Sequence, residues 1–210
     1  MISLNDIFNG PKVLHNFGVP VYTHSLSGDV LDAVQKDLGQ VYNDYVAQGK
    51  FKHNSASRSH MLSDVTFNSN FLNELDIKSF KDELDTHLRY YLKLTGSDVG
   101  VSRPFDYKIT GSWMTLNKEN SYAVVHSHGD TDISGVYYFQ TNGQDGNLFF
   151  ETANKLTKSS YCFRNYGNVW EHQPEVGKLI LFPGWLEHGV GTNHTTGDRV
   201  SVSFNIHFNR

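Results

Sequence analysis

The chain has 210 residues, a net charge of −4, 38% hydrophobic and 19% charged residues, which is typical of one folded domain and excludes wholesale disorder. The slight acidity with scattered lysines argues against nucleic-acid binding, and no apolar stretch is long enough to span a membrane. A single cysteine, Cys162, excludes an internal disulfide framework. Residues 1–12 lack the basic and apolar regions of a signal peptide, so we expect a cytoplasmic protein.

Residues 1–100 are predicted to form a helical flank. Apolar residues recur at helical spacing in two segments, which predicts helices over 29–49 and 79–95. Ser79 is the expected N-cap of the second helix. The polar stretch 50–65 between the helices is interpreted as a loop.

Short strands with turn signals dominate from residue 101 onward. We therefore expect a mainly β fold in which residues 101–210 form an antiparallel barrel or jelly roll and the helices flank it. The whole chain, 1–210, is expected to be a single domain. The clearest predicted strands are 107–116, 122–128, 133–140, 147–151, 178–182 and 199–208.

The last predicted strand alternates strictly between apolar and polar residues. One interpretation is a half-exposed strand with its polar side in water, which is the commoner arrangement. In the other, the apolar side packs under the N-terminal helices and the polar side lines the inside of a barrel that holds a polar ligand. The apolar residues are Val200, Val202, Phe204, Ile206 and Phe208, and the polar residues are Arg199, Ser201, Ser203, Asn205 and His207.

Two histidine-containing segments supply candidate metal ligands. In an extended chain His126, His128 and Asp130 lie on one side, so two of them can meet one ion. A third ligand must come from a distant strand, and His188 is the natural donor. His128, Asp130 and His188 make a set of two histidines and one carboxylate, which binds non-heme Fe(II) and leaves positions open.

A candidate anion-binding pair follows the distal histidine. Arg199 opens the last strand, and Ser201 lies two residues further on the same face. An arginine in this place is able to hold a carboxylate through two hydrogen bonds, and the serine adds a third.

The ordered pattern of these residues resembles the Fe(II)/2-oxoglutarate-dependent oxygenases. More narrowly, three segments are similar to a subfamily from bacteria and their viruses that is distantly like the prolyl hydroxylases. The similarity covers roughly residues 105–208. The segments are DISGVYYF at 132–139, LILFPGWLEH at 179–188 and RVSVSFN at 199–205.

The resemblance implies a double-stranded β-helix, a cupin-like barrel, with Fe(II), 2-oxoglutarate and O₂ as metal and co-substrates. It assigns His188 as the distal metal ligand. It assigns Arg199, assisted by Ser201, to the co-substrate. Tyr138 occupies a strand on which related prolyl hydroxylases place a tyrosine near the co-substrate, and Asn117 is a weaker candidate of the same kind.

The chain departs from the subfamily at the first ligand pair, where the family usually has H-x-H followed by proline. Two ligand sets therefore remain open. One is His128, Asp130 and His188, which ligand charge favours because a carboxylate offsets the metal charge. The other is His126, His128 and His188, which the resemblance to the prolyl hydroxylases favours, through the distance of His126 from Tyr122.

The function implied is hydroxylation of an unidentified small-molecule or protein substrate, coupled to conversion of 2-oxoglutarate to succinate and CO₂. Peptidyl residues are the first substrate class suggested by the prolyl hydroxylases. The alternatives are a three-histidine, cupin-like dioxygenase without a keto acid and a β-barrel binding module that is not an enzyme. Residues 50–70 and 152–173 are the candidate lid segments.

Overall fold

The computed structural model describes residues 12–16, 18–54, 61–66, 70–96, 106–152 and 169–208. The described chain contains three helices and twelve strands. The helices are α1 (Gly28–Ala47), α2 (Phe71–Glu74) and α3 (Lys78–Thr95). The strands are β1 (Lys12–Asn16), β2 (Val19–Ser25), β3 (Lys52–Asn54), β4 (Met61–Val65), β5 (Tyr107–Asn117), β6 (Tyr122–His126), β7 (Ile133–Gln140), β8 (Leu148–Glu151), β9 (Val169–His172), β10 (Lys178–Pro183), β11 (His188–Val190) and β12 (Arg199–Phe208).

The strands form two antiparallel sheets that are joined along one side. The larger sheet has the order β1-β2-β10-β7-β12-β5, and the smaller has the order β6-β11-β8-β9. Strand β4 pairs with β5 through Asp64 and Val65 and with β6 through Met61 and Leu62, so it links the sheets. Strand β3 pairs with β4 outside this path. The curled, mainly β architecture with flanking helices confirms the predicted double-stranded β-helix.

Helices α1 and α3 cover the outer face of the larger sheet. Each buries one apolar stripe, as the helical periodicity predicts. Phe80 of α3 packs edge-on against Tyr137 of β7 and Phe204 of β12. The buried helix residues of this core are Val34, Leu38, Val41, Tyr45, Phe80, Leu84, Leu88 and Tyr91.

A second apolar cluster lies between the two sheets. Phe150 of β8 packs against Phe182 of β10, with ring centroids 4.9 Å apart. This cluster fills one part of the barrel interior and leaves the rest to polar side chains. Its buried members are Val19, Val21, Tyr138, Leu148, Phe150, Ile180, Phe182 and Leu186.

Strand β12 adopts the second of its two predicted arrangements. Val202, Phe204 and Ile206 belong to the core under the helices. Ser201 and Asn205, from the polar side of the strand, line a cavity between the sheets. The interpretation as a half-exposed strand with its polar side in water is therefore wrong.

Two sequence predictions in the N-terminal region are also wrong. Residues 50–65 are not all loop, because β3 and β4 form there by pairing with each other and with β5, a long-range contact that local composition does not report. Ser79 is not an N-cap. Helix α3 begins earlier, after Ile77, and the Ser79 hydroxyl donates instead to the Asp37 carboxylate of α1 at 2.5 Å.

The candidate lid segments fall largely outside the described residues. Residues 55–60, 67–69 and 153–168 are not described, while β3, β4 and β9 account for most of the remainder. Among the helices that the structure describes, none has the length and apolarity needed to cross a membrane.

Candidate metal centre

Three histidines converge where β6 meets β11. His126 ends β6 and pairs in register with His188, which begins β11. His128 follows β6 by two residues, and its backbone N–H donates to the Gly184 carbonyl at 2.8 Å. One potential ligand atom from each imidazole lies within 4.8 Å of the other two. The sequence predicted each of these histidines as a ligand candidate, and the fold brings all three together.

Backbone carbonyls orient two of the three rings. Nδ1 of His126 lies 2.8 Å from the carbonyl oxygen of Val124, and Nδ1 of His188 lies 2.8 Å from that of Leu186. A carbonyl only accepts, so each Nδ1 carries the hydrogen and each Nε2 keeps its lone pair. A lone pair on Nε2 is what a metal ion requires of a neutral imidazole.

Asp130 lies apart from this cluster. The chain turns at His128, whose carbonyl accepts from the Thr131 N–H at 2.9 Å, so the alternation expected of an extended strand ends there. Asp130 is exposed and lines an outer depression together with Trp185 and His207. The carboxylate that the sequence analysis considered as a ligand is therefore not grouped with the three histidines in the described structure.

Arg199 is buried in the same cavity, with 2% of its surface exposed. Its Nη1 donates to the carbonyl oxygen of Asp145 at 3.0 Å and to that of Gly146. Its Nε has no hydrogen-bond partner among the described residues. Burial lowers the pKa of Arg199, while Tyr138 and the Asp145 carboxylate counteract this effect. A buried guanidinium that has an N–H without a hydrogen-bond partner is suited to bind an anion.

The remaining predicted co-substrate residues surround Arg199. Arg199 pairs in register with Asn117, and Ser201 lies between Thr115 on β5 and Tyr138 on β7. Burial raises the pKa of Tyr138 to about 12, so its hydroxyl keeps its proton at neutral pH. The Oδ1 of Asn117 is buried without a hydrogen-bond partner in the described chain. All of these side chains line the cavity that also contains the histidines.

Sequence reasoning assigned no role in the site to two polar cavity residues, although it placed Asn205 on the polar side of the last strand. Trp113 of β5 lies with its ring 5.9 Å from that of His128, and its Nε1 is buried without a partner among the described residues. Asn205 of β12 has its Nδ2 3.4 Å from His128 Nδ1. Strand alternation would have found both, because Trp113 shares a face with Asn117, and Asn205 shares a face with Arg199.

The sequence was compared with protein families and with curated proteins. Residues 111–205 match the family described as "Putative 2OG-Fe(II) oxygenase". The matched segment contains all three histidines and the Arg199 cluster, and it confirms the resemblance predicted from the sequence. Iron and 2-oxoglutarate, the expected metal and co-substrate, are those of the matched family. Comparison with curated proteins finds no match.

Solved structures with similar folds include several 2-oxoglutarate oxygenases. A Pseudomonas putida prolyl-4-hydroxylase is 15% identical with a TM-score of 0.58, over 98% of this chain and 95% of that one. A Trichoplax adhaerens prolyl hydroxylase in complex with a peptide fragment is 15% identical with a TM-score of 0.54, over 99% and 87% of the two chains. The epimerase SnoN in complex with Fe3+, alpha-ketoglutarate and nogalamycin RO is 13% identical with a TM-score of 0.60, over 89% and 78%. At such identities the likeness establishes the fold.

Proposed function

We propose that the protein is an Fe(II)- and 2-oxoglutarate-dependent hydroxylase whose metal ligands are His126, His128 and His188. The observation that carries this proposal is the placement of a buried arginine and a three-histidine cluster in one cavity. A metal site without a keto acid leaves the buried Nε of this arginine without an anion, unless the substrate itself is a carboxylate. A binding module gives no role to three histidines whose ligand atoms converge.

The donor set fits a divalent iron ion. Imidazole nitrogens suit iron, and three ligands leave positions open for other groups. His126 and His188 present Nε2 because backbone carbonyls hold Nδ1. Three neutral ligands do not offset the metal charge, so an anionic co-substrate adds to affinity here more than it would beside a carboxylate ligand.

The buried polar atoms fit a dicarboxylic keto acid. Arg199 Nε is a donor for one carboxylate, and the Ser201 and Tyr138 hydroxyls lie on the same wall of the cavity. Leu148, Phe182 and other apolar side chains also line the cavity and exclude water from the ligand. With O₂ as the oxidant, bound iron and 2-oxoglutarate would supply the oxidising chemistry: one oxygen atom would enter succinate as CO₂ leaves, and the other would hydroxylate a substrate C–H bond.

The substrate class is proposed from the similar structures alone. The peptide complex of the Trichoplax prolyl hydroxylase supports a peptidyl residue as the first class to test. The complex of SnoN with nogalamycin RO supports a small molecule as the second. The single cysteine is consistent with action in the reducing cytoplasm. Acceleration of 2-oxoglutarate consumption by peptide or metabolite mixtures distinguishes the two classes.

The proposal is tested by adding Fe(II) and then 2-oxoglutarate to the protein under anaerobic conditions and recording the visible spectrum. We expect a weak charge-transfer band that requires both components, because a keto acid produces it only when it chelates the iron. Iron binding without this band would favour the three-histidine dioxygenase without a keto acid. Absence of iron binding would favour a binding module.

A further inference from the structure

His128 takes part in a ring of side-chain contacts that begins and ends at this residue. The Thr131 hydroxyl donates to the His128 carbonyl oxygen at 2.8 Å and lies 3.3 Å from the Ser134 hydroxyl. The Ser134 hydroxyl lies 2.9 Å from Asn205 Oδ1, and Asn205 Nδ2 lies 3.4 Å from His128 Nδ1. The ring thus joins the turn after β6 to β7 and β12.

We infer that this ring fixes the tautomer of His128, so that Nδ1 carries the hydrogen and Nε2 faces the metal, and that Asn205 is the positioning residue. The inference rests on the proposed function, in which His128 is a metal ligand. The positioning side chain has no counterpart at the other two ligands, because the backbone carbonyls of Val124 and Leu186 orient His126 and His188. At Nδ1 of His128, the contact is instead with the side chain of Asn205, 77 residues away.

Counting hydrogens decides between the two tautomers. The ring has four contacts, between His128 Nδ1, Asn205, Ser134, Thr131 and the His128 carbonyl. If Nδ1 is an acceptor, only the amide N–H and the two hydroxyls provide hydrogens, so one of the four contacts has none. If Nδ1 carries a hydrogen, there are four hydrogens for four contacts. A close contact between polar atoms without a hydrogen is unfavourable, so the ring favours hydrogen on Nδ1.

The favoured arrangement runs in one direction round the ring. His128 Nδ1–H donates to Asn205 Oδ1, the Asn205 amide donates to the Ser134 hydroxyl, the Ser134 hydroxyl donates to Thr131, and Thr131 donates to the His128 carbonyl. It requires a half turn of the Asn205 amide, which exchanges its oxygen and nitrogen and moves no other atom. Each hydroxyl then donates once and accepts once, and Nε2 of His128 is left as the metal ligand.

The experiment compares zinc affinity and the His128 tautomer in three variants. Asn205→Leu removes both polar atoms at similar size, and Asn205→Asp keeps the acceptor for Nδ1–H. Asn43→Leu is the matched control, because it makes the same replacement at an exposed asparagine on α1 that does not line the cavity. Zn(II) affinity is measured by calorimetry. The protonated nitrogen of His128 is identified by ¹⁵N nuclear magnetic resonance of the zinc-loaded protein, with circular dichroism to verify folding.

We expect Asn205→Leu to weaken zinc binding about 10- to 100-fold, the usual cost of losing a partner of a metal-bound histidine. Asn205→Asp is expected to restore most of that affinity, and Asn43→Leu is expected to leave the wild-type affinity unchanged. We expect His128 to carry hydrogen on Nδ1. Three results would overturn this inference and leave the proposed metal site standing. They are wild-type zinc affinity in Asn205→Leu, equal losses of affinity in both Asn205 variants, and hydrogen on Nε2 of His128. A wild-type protein that binds no zinc, iron or cobalt would overturn the proposed metal site with it.

Discussion

Arg199 is held by backbone carbonyls, and its Nε is unpaired in the described chain. Arg199→Ala is therefore expected to weaken 2-oxoglutarate binding at least about tenfold, since a hydrogen bond to a charged group contributes roughly 1.5–3 kcal/mol. Metal affinity is expected to stay unchanged, because no ligand histidine is altered. Calorimetric titration with metal and then with 2-oxoglutarate separates the two affinities.

The matched control is Arg89→Ala, which removes an exposed arginine paired with Asp85 on α3. It is expected to change neither affinity. If Arg199→Ala weakened metal and 2-oxoglutarate binding equally, the arginine would be a structural residue and its assignment to the co-substrate would fail.

Gly184 occupies a position with no room for a side chain. A Cβ there would overlap the Thr131 hydroxyl and backbone and would lie 2.9 Å from the His128 carbonyl oxygen. Gly184→Ala is expected to displace the turn that positions His128 and so to lower the zinc affinity. The same substitution is expected to lower the free energy of unfolding by roughly 1–3 kcal/mol. Urea unfolding and zinc titration measure both effects.

Gly129→Ala is the control for this substitution. A Cβ at Gly129, in the same turn, meets nothing within 4 Å in the described structure. It is expected to retain zinc affinity. Similar losses at both glycines would mean that flexibility of the turn matters rather than the space around Gly184.

Individual candidate site residues can be named from the sequence where their chemistry and order along the chain suffice. His126, His128, His188 and Arg199 belong to this class. The separation of Asp130 from the histidine cluster depends on a turn hydrogen bond that the residue pattern does not encode. The contact of Asn205 with His128 depends on the sheet that aligns them.

Helix α3 buries a histidine against the sheet. His87 is 4% exposed, and its Nδ1 lies 2.7 Å from the Tyr22 hydroxyl. Its ring also faces His24 and Tyr90, and its Nε2 lies 3.5 Å from the Glu83 carboxylate. Burial, with a smaller contribution from His24, lowers the pKa of His87 to about 4. The folded protein thus binds this proton less readily than the unfolded chain does.

Acidification is therefore expected to destabilise the protein through His87. Because the folded pKa lies below the unfolded value of about 6.5, the contribution is present above that pH and is lost as pH falls toward 4. Between pH 7 and pH 5 the loss from this group is about 2 kcal/mol. Urea unfolding at both pH values measures it.

His87→Phe is expected to reduce this pH dependence, because it removes the titrating group and keeps an aromatic ring. His194→Gln, which replaces an exposed histidine, is the control and is expected to behave like the wild type. An unchanged pH dependence in His87→Phe would show that other groups cause the acid sensitivity.

Elements with a long periodic pattern were predictable, and short ones were not. Helices α1 and α3 and strand β12 each present enough alternating or helical positions to define a face. Strands β3 and β11 have three residues each, and their formation depends on partners distant in sequence. The first and last residues of helices are also set by tertiary contacts, as Ser79 illustrates.

Across the whole molecule, the proposed metal ligands and the proposed co-substrate arginine lie on different sheets. His126 and His188 belong to the smaller sheet, and Arg199 belongs to the larger one. A metal ion at 100 times its dissociation constant stabilises the folded state by about 2.7 kcal/mol, which raises the melting temperature by roughly 5–10 °C. We expect Mn(II) to produce this shift in thermal unfolding, and 2-oxoglutarate to add to it.

His188→Ala is expected to abolish the shift caused by Mn(II). The control, His53→Ala, removes an exposed histidine on β3 and is expected to keep it. A full shift in His188→Ala would place the metal elsewhere in the protein. The order of strands that makes these residues neighbours was not readable from the sequence, because any permutation of antiparallel strands satisfies the same alternation of side chains.

The turn at residues 145–146 positions the side chain of Arg199. The two carbonyls that hold Arg199 come from this turn, and Gly146 adopts a φ of 98° with no room for a Cβ beside the Gly191 carbonyl. Thr141 and Asn142 hold the Asp145 carboxylate in turn. The guanidinium is thereby held in position before a ligand binds. The entropic cost of ordering this side chain therefore falls on folding and not on ligand binding. Substitutions in the loop that holds Arg199 are consequently expected to change co-substrate affinity without altering the arginine itself.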